Sequence, residues 1–162
     1  MHPQAYEYVE KFANDEPITA IEFGSRNING TIQVIFPNAQ WTGIDIAEGE
    51  GVDIVADAST YTHSEPVDLI VCCEVFEHTP NWKEIVANSY QNLKKGGMAI
   101  FTCAGRNRNG HSAIDGLALR PGEYYQNVYE DEMEAVMRQA GFKKVKVDWL
   151  PNPGDTRAVG YK

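Results

Sequence analysis

Short apolar runs alternate along this chain with segments of helical period, and no other feature constrains the fold as strongly. Such alternation is the mark of an α/β fold built on a mainly parallel sheet. Strands are expected at Ile18–Phe23, Trp41–Ile46, Val52–Ala56, Val67–Val75 and Met98–Cys103. Lys143 to Trp149 alternates apolar and polar residues, as a half-buried strand does, and Thr156–Tyr161 follows after the turn Pro151–Asp155. Two strands joined by so short a turn must be antiparallel. Helices are expected between them. Ala5, Tyr8, Val9 and Phe12 form one apolar stripe, and Ile28–Phe36 reads as the start of a short helix broken by Pro37. Thr79 reads as an N-cap with Pro80 at the first helical position, and Trp82, Ile85, Val86, Ser89 and Leu93 as the buried face that follows. Lys94 and Lys95 then suit the last turn, and Gly96 the stop. Glu130–Ala140 carries acids in its first turn and ends at Gly141. Seven strands result, five of them parallel, with an antiparallel closing hairpin.

A chain of 162 residues is one average domain, expected here to span 1–162. Its formal net charge of −9 repels phosphate, which disfavours non-specific nucleic-acid binding and docking on anionic membranes. Cys72, Cys73 and Cys103 are odd in number and two are adjacent, which fits neither a disulfide framework nor a zinc site. Buried reduced thiols in a cytoplasmic protein are the expectation. The start, Met1-His2-Pro3-Gln4, has no basic and apolar leader, and no uncharged apolar stretch approaches the ~20 residues that span a bilayer.

The chemistry gathers at predicted strand ends. Gly24 follows the first strand, where a glycine lets backbone approach a ligand closely, and the loop Gly24–Gly30 is expected to open a helix whose amides attract negative charge. It lacks Gly-x-Gly-x-x-Gly, so the dinucleotide fingerprint fails. Asp45 ends the second strand, 21 residues after Gly24, where a carboxylate can accept from both ribose hydroxyls. Asp57 ends the third and can accept from an adenine amine, with Ile46 packing on the ring. Together these describe an adenosine seat at the switch point of a doubly wound sheet.

In this arrangement the chain resembles the class I S-adenosylmethionine-dependent methyltransferases over nearly its whole length. Glu22-Phe23-Gly24-Ser25 followed by Asn29-Gly30 is similar to that family's first motif, and Gly43-Ile44-Asp45-Ile46 to its ribose-binding strand end. Asp57-Ala58 resembles the adenine motif, Asp68 to His78 the fourth motif, and Leu93-Lys94-Lys95-Gly96-Gly97 the turn before strand five. The glycine loop departs from the Gly-x-Gly common among relatives. The resemblance implies a Rossmann-like seven-stranded sheet, order 3-2-1-4-5-7-6 with strand 7 antiparallel. It also implies S-adenosylmethionine as cofactor, transfer of its methyl to oxygen or nitrogen of a small-molecule acceptor, and cofactor contacts from Glu22, Gly24, Ser25, Arg26, Asp45, Ile46, Asp57, Ala58, Cys73 and Glu74.

Glu22 is expected to steady the glycine loop through backbone amides, and Arg26 to meet the cofactor carboxylate. His78 and His111 are the candidate general bases. No metal ligand is assigned: Glu74, Glu77 and His78 resemble the divalent-metal motif of some relatives, but a hard cation prefers more oxygen donors. Gly105–Tyr125, in a long polar stretch, is the expected acceptor-facing element, with Arg106, Arg108, Arg120, Tyr124 and Tyr125 as readers of an anionic or aromatic group. Two other readings stand beside this one: a non-catalytic cofactor-binding module or partner-dependent subunit, and a nicotinamide-dependent oxidoreductase. The latter is disfavoured by the missing glycine triplet. An oligomer is compatible with the sequence.

Overall fold

The computed structural model describes residues 2–162. Seven strands form one sheet: β1 Thr19–Phe23, β2 Gln40–Asp45, β3 Ile54–Val55, β4 Val67–Cys73, β5 Leu93–Ala104, β6 Lys143–Leu150 and β7 Asp155–Tyr161. Their order is β3-β2-β1-β4-β5-β7-β6. The first five run parallel, and β7 pairs antiparallel with both β5 and β6. This is the expected methyltransferase-type topology, with strand 7 antiparallel.

The central strands are buried on both faces, which is why they read as unbroken apolar runs. Successive side chains of β4 point to opposite sides. Ile70 and Cys72 join a core with Phe23, Phe101 and the inner faces of α2 (Trp82–Asn92) and α3 (Glu130–Ala140). Leu69 and Val71 pack on the other side against Tyr8 and Val9 of α1 (Pro3–Glu10), with Ile32, Ile35 and Phe36. Gly141 ends α3 at φ 112°, where a Cβ would meet the Tyr90 ring at 2.8 Å, so only glycine fits.

Several local expectations are corrected. Ile28–Phe36 holds only a 3₁₀ turn, Gln33–Ile35. β-Branched residues crowd this stretch and Pro37 closes it, so no α-helix propagates. The second helix begins at Trp82 behind Asn81, not at Pro80. The Thr79 hydroxyl accepts from the Asn81 N–H at 3.2 Å, in a local turn rather than a helix cap. That helix stops at Asn92, whose side-chain amide donates to the carbonyls of Asn88 and Tyr61. Leu93 is already extended and paired with Val67, so Lys94, Lys95 and Gly96 belong to β5. Lys94 there pairs with Asp68 at 2.8 Å. The third strand shrinks to two residues.

Between β3 and β4 the chain crosses the sheet without a helix. Tyr61 anchors this span: its ring meets Phe23 edge-on, and its carbonyl accepts from Asn88 at 2.6 Å. Phe101 is fully buried where the rings of Phe76 and Phe142 meet. Replacing it by alanine should cost about 3–5 kcal/mol in urea unfolding, and a loss below 1 kcal/mol would show that this ring cluster does not carry the core.

Candidate active site

Parallel strands of such a sheet deliver their carboxyl ends to one edge, and a crevice forms where neighbouring connections diverge. Here β1 and β4 are neighbours whose chains leave in opposite directions, and a cavity of about 810 Å³ opens above them. Ligand pockets commonly measure roughly 300–1,000 Å³. Its walls include Glu22 and Gly24 from β1 and its loop, Cys73 and Glu74 from β4, and Arg108 and His111 from the long connection after β5.

The loop after β1 is bent over the end of β2. The N–H groups of Gly24 and Ser25 both donate to the Ile44 carbonyl, at 2.9 and 3.1 Å. Gly24 has φ 78°, and a Cβ there would stand 2.2 Å from the Val75 methyl, so the turn requires glycine. Ser25 is buried with its hydroxyl unpartnered. The Arg26 N–H donates to Asp45 Oδ2 at 3.2 Å, and the Ala47 N–H donates to Oδ1 at 3.0 Å. Each Asp45 oxygen thus keeps a lone pair for a further donor. Among the described residues the Arg26 guanidinium forms no ion pair, and the side chain lines the cavity. No full helix follows this loop, so the expected helix-terminus anion site is absent.

Glu22 is nearly buried under the loop. Its Oε2 accepts from the Gln33 side-chain amide at 2.9 Å, and not from backbone amides as expected. Burial pushes its carboxyl up to about 7, against the smaller effect of the Gln33 hydrogen bond. Asp57 is exposed, and its Oδ1 accepts from the Ser59 N–H and hydroxyl. Ile46 is 78% exposed beside it. Asp45, Ile46, Asp57 and Ala58, at and just beyond the ends of β2 and β3, do not line the main cavity, and Ala58 packs against the core.

Beyond β4 the two glutamates part. Glu74 stands at φ 58°, a left-handed conformation that is costly for a side-chain residue. Thr102 donates to its Oε1 at 3.0 Å and His2 to its Oε2 at 3.0 Å. Burial opposes its ionisation, but the hydrogen bond from His2 and the charges of His2 and Arg108 hold its carboxyl below the usual range. Glu77 is fully buried, and burial together with the Glu74 charge pushes it well up. Its Oε1 accepts from the Ala104 N–H at 3.2 Å, and its Oε2 has no partner. The two environments push the carboxyls apart, Glu74 down and Glu77 up.

His78, His111 and Tyr125 meet as three rings, with centroids 5.0, 5.7 and 5.1 Å apart. Burial and the neighbouring His111 push His78 down to about 4. His111 Nδ1 faces the Asn109 carbonyl at 3.1 Å, which fixes the proton on Nδ1 and leaves Nε2 as the acceptor, 4.0 Å from Glu77. One ligand atom each from Glu77, His78 and His111 lies within 4.8 Å of the others. Arg106 and Arg120 do not face the cavity: Arg106 pairs with Glu130 at 2.8 Å, and Arg120 pairs with Asp115. His2 and Asp155 belong to the site but escaped the sequence reading. His2 reaches it from the other end of the chain, and no spacing in the sequence announces that contact.

The comparisons with known proteins agree with this fold. The profile of the methyltransferase-domain family matches residues 2–147. The chain belongs to this family, and its fold and motifs make it a member of the class I S-adenosylmethionine-dependent methyltransferases. It is 25% identical over 165 residues to the ubiquinone biosynthesis O-methyltransferase of Hydrogenovibrio crunogenus, covering 87% of this chain and 68% of that protein. The enzyme of the same name from Pseudomonas entomophila is 30% identical over 99 residues, 51% of this chain and 41% of that one. Thus the chain spans two-thirds of one such relative and less than half of another.

Among solved structures, 1,6-didemethyltoxoflavin-N1-methyltransferase of Burkholderia thailandensis, with S-adenosylhomocysteine bound, superposes with a TM-score of 0.72 at 14% identity. It covers 99% of this chain and 77% of that one. A methyltransferase of Methanosarcina mazei gives 0.67 at 14% identity over 100% of this chain and 98% of its own. Among the described residues no helix is long and apolar enough to cross a membrane.

Because burial favours the protonated form of Glu22, the folded protein takes up a proton that the unfolded chain has released between about pH 4.5 and 7. Stability should therefore fall as pH rises through that window. Glu22→Gln should remove this contribution and gain roughly 2–3 kcal/mol on the wild type at pH 8, read by urea unfolding at pH 5 and 8. The same pH slope in the variant would show that Glu22 is not the group responsible.

Proposed function

We propose that residues 1–162 work as one domain that binds S-adenosylmethionine in the crevice between β1 and β4 and passes its methyl to an oxygen or nitrogen of a small-molecule acceptor. The observation that carries this reading is the turn at Gly24, with no room for a side chain, placed beside an Asp45 carboxylate that keeps two free lone pairs. The donor set fits the nucleoside. Asp45 takes the ribose hydroxyls, Asp57 and Ala58 face the adenine edge, and Ile46 covers the ring. Gly24, Ser25 and Arg26 meet the methionine end, with the Arg26 guanidinium on the carboxylate. Glu22 supports them from below, and Cys73 and Glu74 form the floor at the sulfur. The exposure of Ile46 suits a side chain that awaits a ring. The three free thiols agree with a cytoplasmic setting.

When bound, the cofactor supplies an already activated methyl group on a sulfonium, open to in-line displacement. The protein's share is alignment, exclusion of water and acceptance of one proton. Alignment alone can supply roughly 7–11 kcal/mol. The loop carrying Arg108 and His111 lines the cavity and supplies the wall that an acceptor would meet. His111 is the better placed of the two candidate bases, because its Nδ1–H is held by Asn109 and its Nε2 lone pair is free. His78, held neutral and nearly non-basic, packs against it and fixes the ring.

A second reading of this corner follows from its donor set. Glu77 Oε2 and His78 Nδ1 are buried without partners, beside His111. Glu77, His78 and His111 can hold a divalent cation of the transition series, which suits mixed nitrogen and oxygen ligands and would polarise an acceptor oxygen. The two readings make competing demands on His111 Nε2. A chelator separates them: turnover that survives prolonged chelation excludes the metal, and loss restored by added zinc or manganese removes His111 as a free base.

Calorimetry tests the nucleoside seat. S-adenosylmethionine and its demethylated product should bind and NAD should not, and Asp45→Ala should weaken binding by tenfold or more, about 1.4 kcal/mol. Unchanged affinity in that variant would remove Asp45 from the ribose. Turnover of labelled cofactor with catechol-like and amine acceptors then separates an enzyme from a binding module. His111→Gln should lower turnover on the order of 10²-fold with cofactor affinity unchanged.

A further inference from the structure

The Glu74 carboxylate sits in a network drawn from three distant parts of the chain. His2 Nε2 lies 3.0 Å from its Oε2, and Thr102 of β5 donates to its Oε1. Arg108 stands 3.8 Å from Oε2 and binds Asp155 Oδ1 at 2.6 Å, and Asp155 is fully buried at the start of β7. His2 is also 3.3 Å from Asp155 Oδ2, an oxygen with no other partner. The opposite His2 nitrogen, Nδ1, faces Gln4 Oε1 at 3.1 Å. Both ring nitrogens therefore face acceptors, which is the arrangement of an imidazolium. Two cations and two anions balance, although Arg108 Nη1 lies only 3.4 Å from His2 Nε2.

Such a network is more than a fold needs at a surface crevice. Buried ion pairs are weak contributors to stability, and a left-handed glutamate is a strained one. With both oxygens engaged, Glu74 is poorly placed to take a proton from an acceptor. What it can present is a fixed negative charge at the end of β4, on the cavity wall.

We propose that His2, acting with Arg108 and Asp155, is a positioning residue that holds the Glu74 carboxylate, ionised and immobile, against the cationic sulfur of the bound cofactor. This rests on the S-adenosylmethionine reading above. The donor carries a positive sulfonium, whereas the product is a neutral thioether. A charge held at that point favours the donor over the product, so the network sets product release as well as binding. His2, at the N-cap of α1, thereby becomes part of the site.

The test is the ratio of the two affinities, measured by calorimetry on the full chain for S-adenosylmethionine and S-adenosylhomocysteine. His2→Gln should lower the preference for the donor on the order of tenfold, the size of one charge-assisted contact. Glu74→Gln should lower it to a similar level, and the double variant no further. His2→Lys, which keeps a cation there, should recover part of it. A merely structural role would weaken both ligands alike and leave the ratio unchanged. Circular dichroism and urea unfolding confirm that each variant is folded. An unchanged ratio in folded His2→Gln and Glu74→Gln, with the wild type binding both ligands, overturns this inference alone. A wild type that binds neither overturns the cofactor reading and this inference with it.

Discussion

The site depends on one carbonyl. Ile44, near the end of β2, accepts from the consecutive N–H groups of Gly24 and Ser25, and this pair of hydrogen bonds turns the chain sharply off β1. The turn is possible only because Gly24 has no side chain to strike Val75. It brings the Arg26 amide onto Asp45, which fixes that acid at the end of β2. A parallel sheet gives the crevice its place, but this contact gives it a polar wall. The chain achieves it without the long helix that usually follows such a loop, since only a 3₁₀ turn stands between β1 and β2.

Charge organises the opposite wall. Glu74 and Glu77 are three residues apart, yet one is paired with cations and the other is fully buried beside two histidines. A short 3₁₀ turn, Phe76–His78, sends them in different directions. The result is a carboxylate held among cations next to a buried acid and two histidines. A cationic donor suits the first environment, and proton or metal chemistry suits the second. The net charge of the chain plays little part, because the groups that matter are paired locally.

Much of this was legible in the sequence. The five parallel strands, α3 with its glycine stop, the strand-end acids and the glycine turn follow from apolar runs and from glycine and carboxylate placement. The failures have physical causes. Lys94, Lys95 and Gly96 have the composition of a helix end, but Leu93 gains more by pairing with Val67 and filling the core than by continuing α2. Thr79 and Pro80 mimic a helix start, and the real start lies one turn piece later, behind Asn81. Glu22 finds a side-chain amide eleven residues away. His2 and Asp155 were invisible because their roles depend on contacts 72 and 47 residues distant, with Glu74 and Arg108, which no local pattern encodes.

The central claim is a nucleoside seat at the ends of β1, β2 and β4. The most direct measurement is a crystal structure of the protein grown with saturating S-adenosylhomocysteine. It should show the ribose hydroxyls on Asp45, the methionine chain crossing Gly24, and the sulfur beside Glu74. A crevice that stays vacant under saturating ligand, or a nucleoside bound elsewhere on the molecule, would contradict the account.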